Sequence, residues 1–271
     1  MPKQLLKAIG GFLLLFILYH AAEYMIMFQN SPAGFLFFQV AFFLAAWLIV
    51  RWQARQGMSA WGLDVRHPFI KHLLSGISMG ILLYGLTYLI SLFVGSERFI
   101  GTPSFKEAIP PLLLFIFGSF FSSLSEDILT RGYVFYHLKE RVGGWVLVII
   151  SALIYLLNHI YRLDDGPQAW LYLFSLGVLF AIPLLLTKRL WFTGGLHWAG
   201  NCVFFLTHEI FTTQTNAQSI DANYILVLCI LIIIPVNYVI IRALKLNDLN
   251  QRHQLTITRF NNEGQQPIEL S

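Results

Sequence analysis

PPLLLFIFGSFFSSLSEDILTRGYVFY, the stretch Pro110–Tyr136, is long and apolar enough for a transmembrane helix, yet it carries Glu126, Asp127 and Arg131. A charged side chain near mid-bilayer costs roughly 2.5–3.5 kcal/mol on insertion scales, so three so close together need partners or a chemical task. Either requirement implies neighbouring helices that supply polar groups at the same depth.

The remaining sequence supplies such neighbours. Of 271 residues, 56% are hydrophobic and only 12% charged, and mean hydropathy is +0.65. Soluble domains carry about 25% charged residues, so the composition predicts an all-α polytopic membrane protein. Apolar runs of spanning length fall at 8–28, 34–53, 72–95, 110–136, 144–162, 169–187, 190–212 and 223–244, which predicts eight transmembrane helices. They form one transmembrane domain over 1–246 with no room for a separate soluble domain. A polar tail, 247–271, follows, and its composition predicts mobility.

Charge sets the orientation. With eight spans and the N-terminus inside, every Lys and Arg except Arg98, Lys106 and Arg162 falls in a cytoplasmic segment. The positive-inside rule then places both termini in the cytoplasm. Residues 1–22 have the outline of a signal peptide, but the same asymmetry argues for a retained span. A pI near 9.1 follows from that asymmetry and from contact with anionic lipid, so the expected partner is the bilayer and no nucleic acid is implied. Cys202 and Cys229 lie within apolar runs and predict neither a disulfide nor a cysteine metal site.

The fourth and fifth runs form a hairpin about Val142-Gly143-Gly144. Glu126 lies about 16 residues before that turn and His159 about 16 after it. At 1.5 Å per residue both sit roughly 25 Å from the turn, so they share a depth and can face each other. Asp127 and Arg131, at i,i+4, can pair on one helix face. Glu126 is turned away from that pair, which makes it the better general base and Asp127 the better structural acid. Tyr155 shares a face with His159, and in the seventh run His197 and Asn201 share another. A carboxylate, two imidazoles and an amide inside a membrane can build a hydrolytic centre.

Glu126-Asp127-Ile-Leu-Thr-Arg131, Tyr155-Leu-Leu-Asn-His159 and His197-Trp-Ala-Gly-Asn201 resemble the EExxxR, FxxxH and HxxxN/D signatures of the CPBP family (CAAX protease and bacteriocin-processing, or Abi), which includes the type II CAAX prenyl endopeptidases. Order and spacing agree over a protease-like core of about 110–205. Two positions depart from the pattern: Asp127 replaces the second Glu, and Tyr155 replaces Phe. The resemblance implies an intramembrane endopeptidase of a bacterial inner (plasma) membrane, acting on protein or peptide substrates at the inner leaflet. It assigns water activation to Glu126 and His159, oxyanion stabilisation to His197 and Asn201, and a supporting role to Asp127, Arg131 and Tyr155. Glu126, His159 and His197 could also hold a divalent metal, zinc first, although metal-free activation would use the same residues. No pattern identifies a prenyl-binding groove, and oligomeric state is not encoded legibly.

Two other readings use the same residues: a non-catalytic immunity or scaffold protein of this fold, and a proton-coupled transporter. The transporter reading expects inverted repeats or broken spans, which the sequence lacks. His208-Glu209 begins like HExxH but has no second His. Gly76-Ile-Ser78-Met-Gly80 matches G-x-S-x-G, yet a membrane span cannot supply the strand-to-helix turn that motif needs, so packing through small residues is expected. His20 and Glu23 are expected at the outer interface. His67, His72, His137 and His253, in or beside cytoplasmic segments, need no role. His197 lies only about eight residues beyond Lys188-Arg189, so its helix must tilt or start deep to reach Glu126.

Overall fold

The computed structural model describes residues 2–54, 57–66 and 68–246. The tail 247–271 with His253, and also Arg55 and His67, lie outside these residues. Each predicted apolar run carries a helix: α1 (Pro2–Met27), α2 (Pro32–Ala54), α3 (Phe69–Phe93), α4 (Phe105–Asp127) with its continuation α5 (Tyr133–Leu138), α6 (Gly144–Asn158), α7 (Pro167–Thr187), α8 (Leu190–Phe205) and α9 (Ala222–Ala243). The protein is an all-α polytopic membrane protein. Among the described residues, six helices are long and apolar enough to cross a membrane, namely α1, α2, α3, α4 through α5, α7 and α9.

The runs expected to span at 144–162 and 190–212 form shorter helices, of 15 and 16 residues. Helix α6 ends because His159 leaves the helical region (φ −84°, ψ 54°), and a 3₁₀ stretch, Ile160–Asp165, follows. Helix α8 is enclosed by α3, α4 and α7, so protein rather than lipid surrounds most of its backbone and bilayer thickness does not set its length. A feature absent from the sequence reading is a two-stranded antiparallel ribbon, β1 (Glu97–Gly101) with β2 (Thr212–Thr215), which ties the α3–α4 link to the α8–α9 link.

Local chemistry explains the helix boundaries. Ser104 and Glu107 close a capping box at the start of α4. Asp221 accepts from the Asn223 amide to start α9, and α7 stops where Lys188 turns left-handed. Two buried apolar clusters fill the interior. Ile128 and Leu129, next to the charged pair of α4, belong to one cluster, and Tyr155 and Phe180 belong to the other. The charges therefore sit where the two clusters meet. Large apolar side chains such as Leu13, Ile17, Phe37, Val40, Leu228 and Leu231 point outward, as lipid contact requires.

The closest helix pairing is α3 on α8. A Cβ on Gly76 would lie 2.0 Å from the Phe192 carbonyl oxygen, and one on Gly80 would lie 2.3 Å from that of Leu196. The G-x-S-x-G sequence is thus a packing stripe. Ser78 points outward and donates back to Leu74 O within its own helix (3.0 Å). Gly80→Ala is expected to push α3 from α8 and to destabilise the fold by about 1–3 kcal/mol, the usual cost of overpacking. Ser78→Ala is expected to be silent. Thermal unfolding in detergent checks both, and loss of function in the Ser78 variant would revive the serine-nucleophile reading.

Candidate active site

Helix α4 brings Glu126 and Asp127 to its last turn, after which the chain widens into a π turn, Ile128–Gly132. Such turns are rare and recur at functional sites, because an extra residue per turn re-aims side chains. Here the loosened backbone is tied down: Thr130 Oγ1 donates to Glu126 O, and Ser151 Oγ on α6 donates to Thr130 O, both at 2.8 Å. Gly132 is required by close approach, since a Cβ there would lie 2.7 Å from Trp61 O.

Arg131 folds back on Asp127 and bonds its carboxylate, with both side chains fully buried. The guanidinium also donates to Thr130 Oγ1 (3.0 Å) and lies 4.5 Å over the Tyr155 ring and 4.8 Å over that of Phe180. Aromatic faces attract a desolvated cation, which accounts for the position of Tyr155. Arg131 makes no contact with Glu126, so it holds one member of the carboxylate pair rather than both.

Glu126 is 4% exposed and lies between the two histidines. His159 Nδ1 is 3.8 Å from Oε1, and His197 Nε2 is 3.5 Å from Oε2. Turned away from Arg131 as expected, Glu126 has another partner in Asn158, whose Nδ2 donates to Oε1 at 3.1 Å. His159 Nδ1 is also 2.8 Å from Tyr155 O. A carbonyl can only accept, so Nδ1 carries the proton and Nε2 of a neutral ring keeps its lone pair. With 18% of its side chain exposed, His159 is more open than Glu126 or His197. His197 stacks on Phe180 (4.7 Å between centroids) and places Nδ1 3.2 Å from Asp127 Oδ1. Asp127, bonded by Arg131, accepts there, which turns Nε2 towards Glu126. Those two atoms attract only when a proton lies between them.

Asn201 sits one turn further along α8 and donates to Ser123 Oγ at 3.1 Å, not to the Glu–His group. Sequence reasoning missed Asn158, Ser123 and Phe180. Asn158 could have been found as an amide beside His159 in an apolar run, whereas Phe180 carried no signal among so many phenylalanines.

The depth of His197 follows from the start of α8. Arg189 is 1% exposed. Its Nη1 donates to Arg66 O (3.0 Å) and Asp64 O (3.4 Å), and its Nη2 lies 3.7 Å from Asp64 Oδ2. Leu190 N donates to Gly62 O, and Trp191 Nε1 to Asp64 O. The loop before α3 thus draws the first residues of α8 into the protein. Burial works to raise the Asp64 carboxyl, but hydrogen bonds and charge from Arg66, with the charge of Arg189, outweigh it and hold the group below its ordinary value. A lowered carboxyl contributes stability that is present above the unfolded value, near 3.9, and is lost as pH falls through the folded one. The stability difference between wild type and Asp64→Asn is expected to be flat above about pH 5 and to close below about pH 4, as read from unfolding midpoints across pH.

Other histidines lie apart. His208 Nε2 is 2.8 Å from Glu97 Oε1 at the ribbon. His20, expected at the outer interface, is buried, with Nδ1 2.8 Å from Glu23 Oε2. His72, expected in or beside a cytoplasmic segment, is fully buried in α3. As for a metal, Glu126, His159 and His197 supply suitable donor types. Nδ1 of each imidazole is engaged, which leaves Nε2 as the ligating atom, but among the described residues no three such donors converge into a metal-holding group.

The comparisons agree with the signatures. Residues 108–203 match the family model described as type II CAAX prenyl endopeptidase Rce1-like. No curated protein matches the chain. That matched segment holds every candidate site residue from Glu126 to Asn201, and over it the chain is similar to the CPBP/CAAX protease-like family.

Proposed function

We propose that this protein is an intramembrane endopeptidase that hydrolyses peptide bonds of membrane-associated proteins or peptides. The observation that carries this reading is the position of Glu126: a buried carboxylate with one imidazole near each oxygen, 3.8 and 3.5 Å away. Water held between Glu126 and the free Nε2 of His159 loses its proton to that pair as it attacks the scissile carbonyl. His197, oriented by Asp127, donates from Nε2 once protonated, and Asn201 donates from its amide, to the oxyanion that develops. The tetrahedral intermediate collapses when the shared proton passes to the leaving amine. Every atom in this scheme belongs to the chain, the substrate or water, and no step is routed through a metal.

Eight crossings with both termini in the cytoplasm, as charge asymmetry expects, would open the site towards the inner leaflet of a bacterial plasma membrane. Short α8 fits this topology because protein encloses it. The test compares membrane and secreted peptide termini between cells carrying wild type and cells carrying Glu126→Gln at equal expression. Termini present only with wild type would establish proteolysis and identify substrates. Identical profiles with the biological phenotype retained would favour the scaffold reading. Zinc in stoichiometric amount in wild type, and lost in the variant, would add a metal to the scheme.

A further inference from the structure

A concavity of about 460 Å³ opens at the ends of α1, α2 and α5, and no candidate catalytic residue lines it. Its walls include Lys7, Trp52, Gln53, His137, Lys139 and Arg141. The wall is built rather than incidental. Gln53 Nε2 donates to Lys7 O (2.9 Å) and to Tyr133 Oη (3.1 Å), and its Oε1 accepts from His137 Nε2 (3.0 Å). Tyr133 Oη donates in turn to Ala8 O (2.7 Å), and Lys7 Nζ stands 4.6 Å over the Trp52 ring. One amide therefore ties three helices together around the cavity.

The charge is unbalanced. Lys7, Lys139 and Arg141 face it, against the single carboxylate of Glu140. Among the described residues none of the three cations has a carboxylate within ion-pair distance. Three cations on one concavity repel one another unless an anion joins them. The volume falls in the range of small-molecule sites, roughly 300–1,000 Å³. Its place at the ends of apolar helices, with Leu5 and Leu6 exposed alongside on α1, puts it at headgroup level with acyl chains able to lie against α1. Basic groups at that level attract anionic lipid.

We propose that this cavity binds a phosphate-bearing anion, presented as the headgroup of an anionic membrane lipid. The proposal needs α1, α2 and α4 to cross a membrane and does not depend on peptidase activity. The test uses the full chain in neutral detergent, with bound lipid read by native mass spectrometry. Phosphatidylglycerol and phosphatidylcholine are the probes, and inorganic phosphate is the competitor. Wild type is expected to retain phosphatidylglycerol at least about fivefold better than phosphatidylcholine. K7Q/K139Q/R141Q is expected to lose it by at least about tenfold, whereas K3Q/R51Q/K71Q, with the same change in charge, stays within about twofold. Glu140→Gln, which removes the opposing charge and none of the wall hydrogen bonds, is expected to bind more tightly. Displacement by millimolar phosphate would assign the site to free phosphate, and resistance to it would assign the lipid. Equal losses in the two triple variants, retention by the cavity variant, or unchanged affinity in Glu140→Gln would overturn the proposal.

Discussion

Peptide cleavage by Glu126→Gln is expected to fall by roughly 10²–10⁴-fold, the range lost with a positioned general base, while the fold survives. Gln matches Glu in size, and its amide can still meet Asn158, which donates to Oε1 in the native chain (3.1 Å). What disappears is the negative charge and the ability to take a proton. His159→Ala removes the other partner of the water and is expected to cost a similar factor. If the two residues act as one unit, the double variant is hardly slower than either single one. Additive losses would show that they work on separate steps, and wild-type rates in either single variant would remove Glu126 and His159 from the chemistry. Unfolding midpoints measured on the same samples separate this effect from a loss of folded protein.

Arg131→Ala is expected to destabilise the protein by about 3–5 kcal/mol, the usual cost of removing one partner of a buried ion pair. Asp127 is fully buried, Arg131 and His197 both meet its Oδ1, and its Oδ2 has no hydrogen bond among the described residues. Without Arg131 its charge would be desolvated and held only by His197. The cations of Arg131 and the rings of Tyr155 and Phe180 would also part. Pairing the change with Asp127→Leu is expected to restore much of the stability, since an apolar replacement of both partners leaves no orphaned charge. Activity should stay low in that double variant, because Asp127 orients His197 through a 3.2 Å contact. Chemical or thermal unfolding in detergent, alongside cleavage assays, checks both halves. A single variant as stable as wild type would mean that water already reaches this pair.

Parts of the site could be read from spacing alone. Asp127 and Arg131 lie i,i+4, and the helical repeat survives the start of the π turn well enough for them to pair. Similar offsets from the Val142–Gly144 turn bring Glu126 and His159 to within 3.8 Å. Other parts had no local trace. The early end of α6 depends on the dihedral angles at His159, and the amide of Asn158 gains meaning only once Glu126 faces it. The β1–β2 ribbon joins segments more than a hundred residues apart through a few polar residues, too short for a periodic signal. The burial of His20 and His72 had no local trace either, because distance from a helix end says little about which neighbours cover a side chain.

Membrane class, helical segments and the three signatures that carry the family resemblance were all legible before any helix met another. Apolar length and i,i+4 spacing are properties of one helix, and a bilayer leaves the backbone almost no alternative to it. Only tertiary structure decided that His197 reaches Glu126. That contact requires a charged residue, Arg189, to be drawn inside by carbonyls of the Asp64–Arg66 loop, and α8 to lie against glycines of α3. Both conditions depend on atoms far apart in the chain, whose desolvation and packing energies exist only after the helices meet.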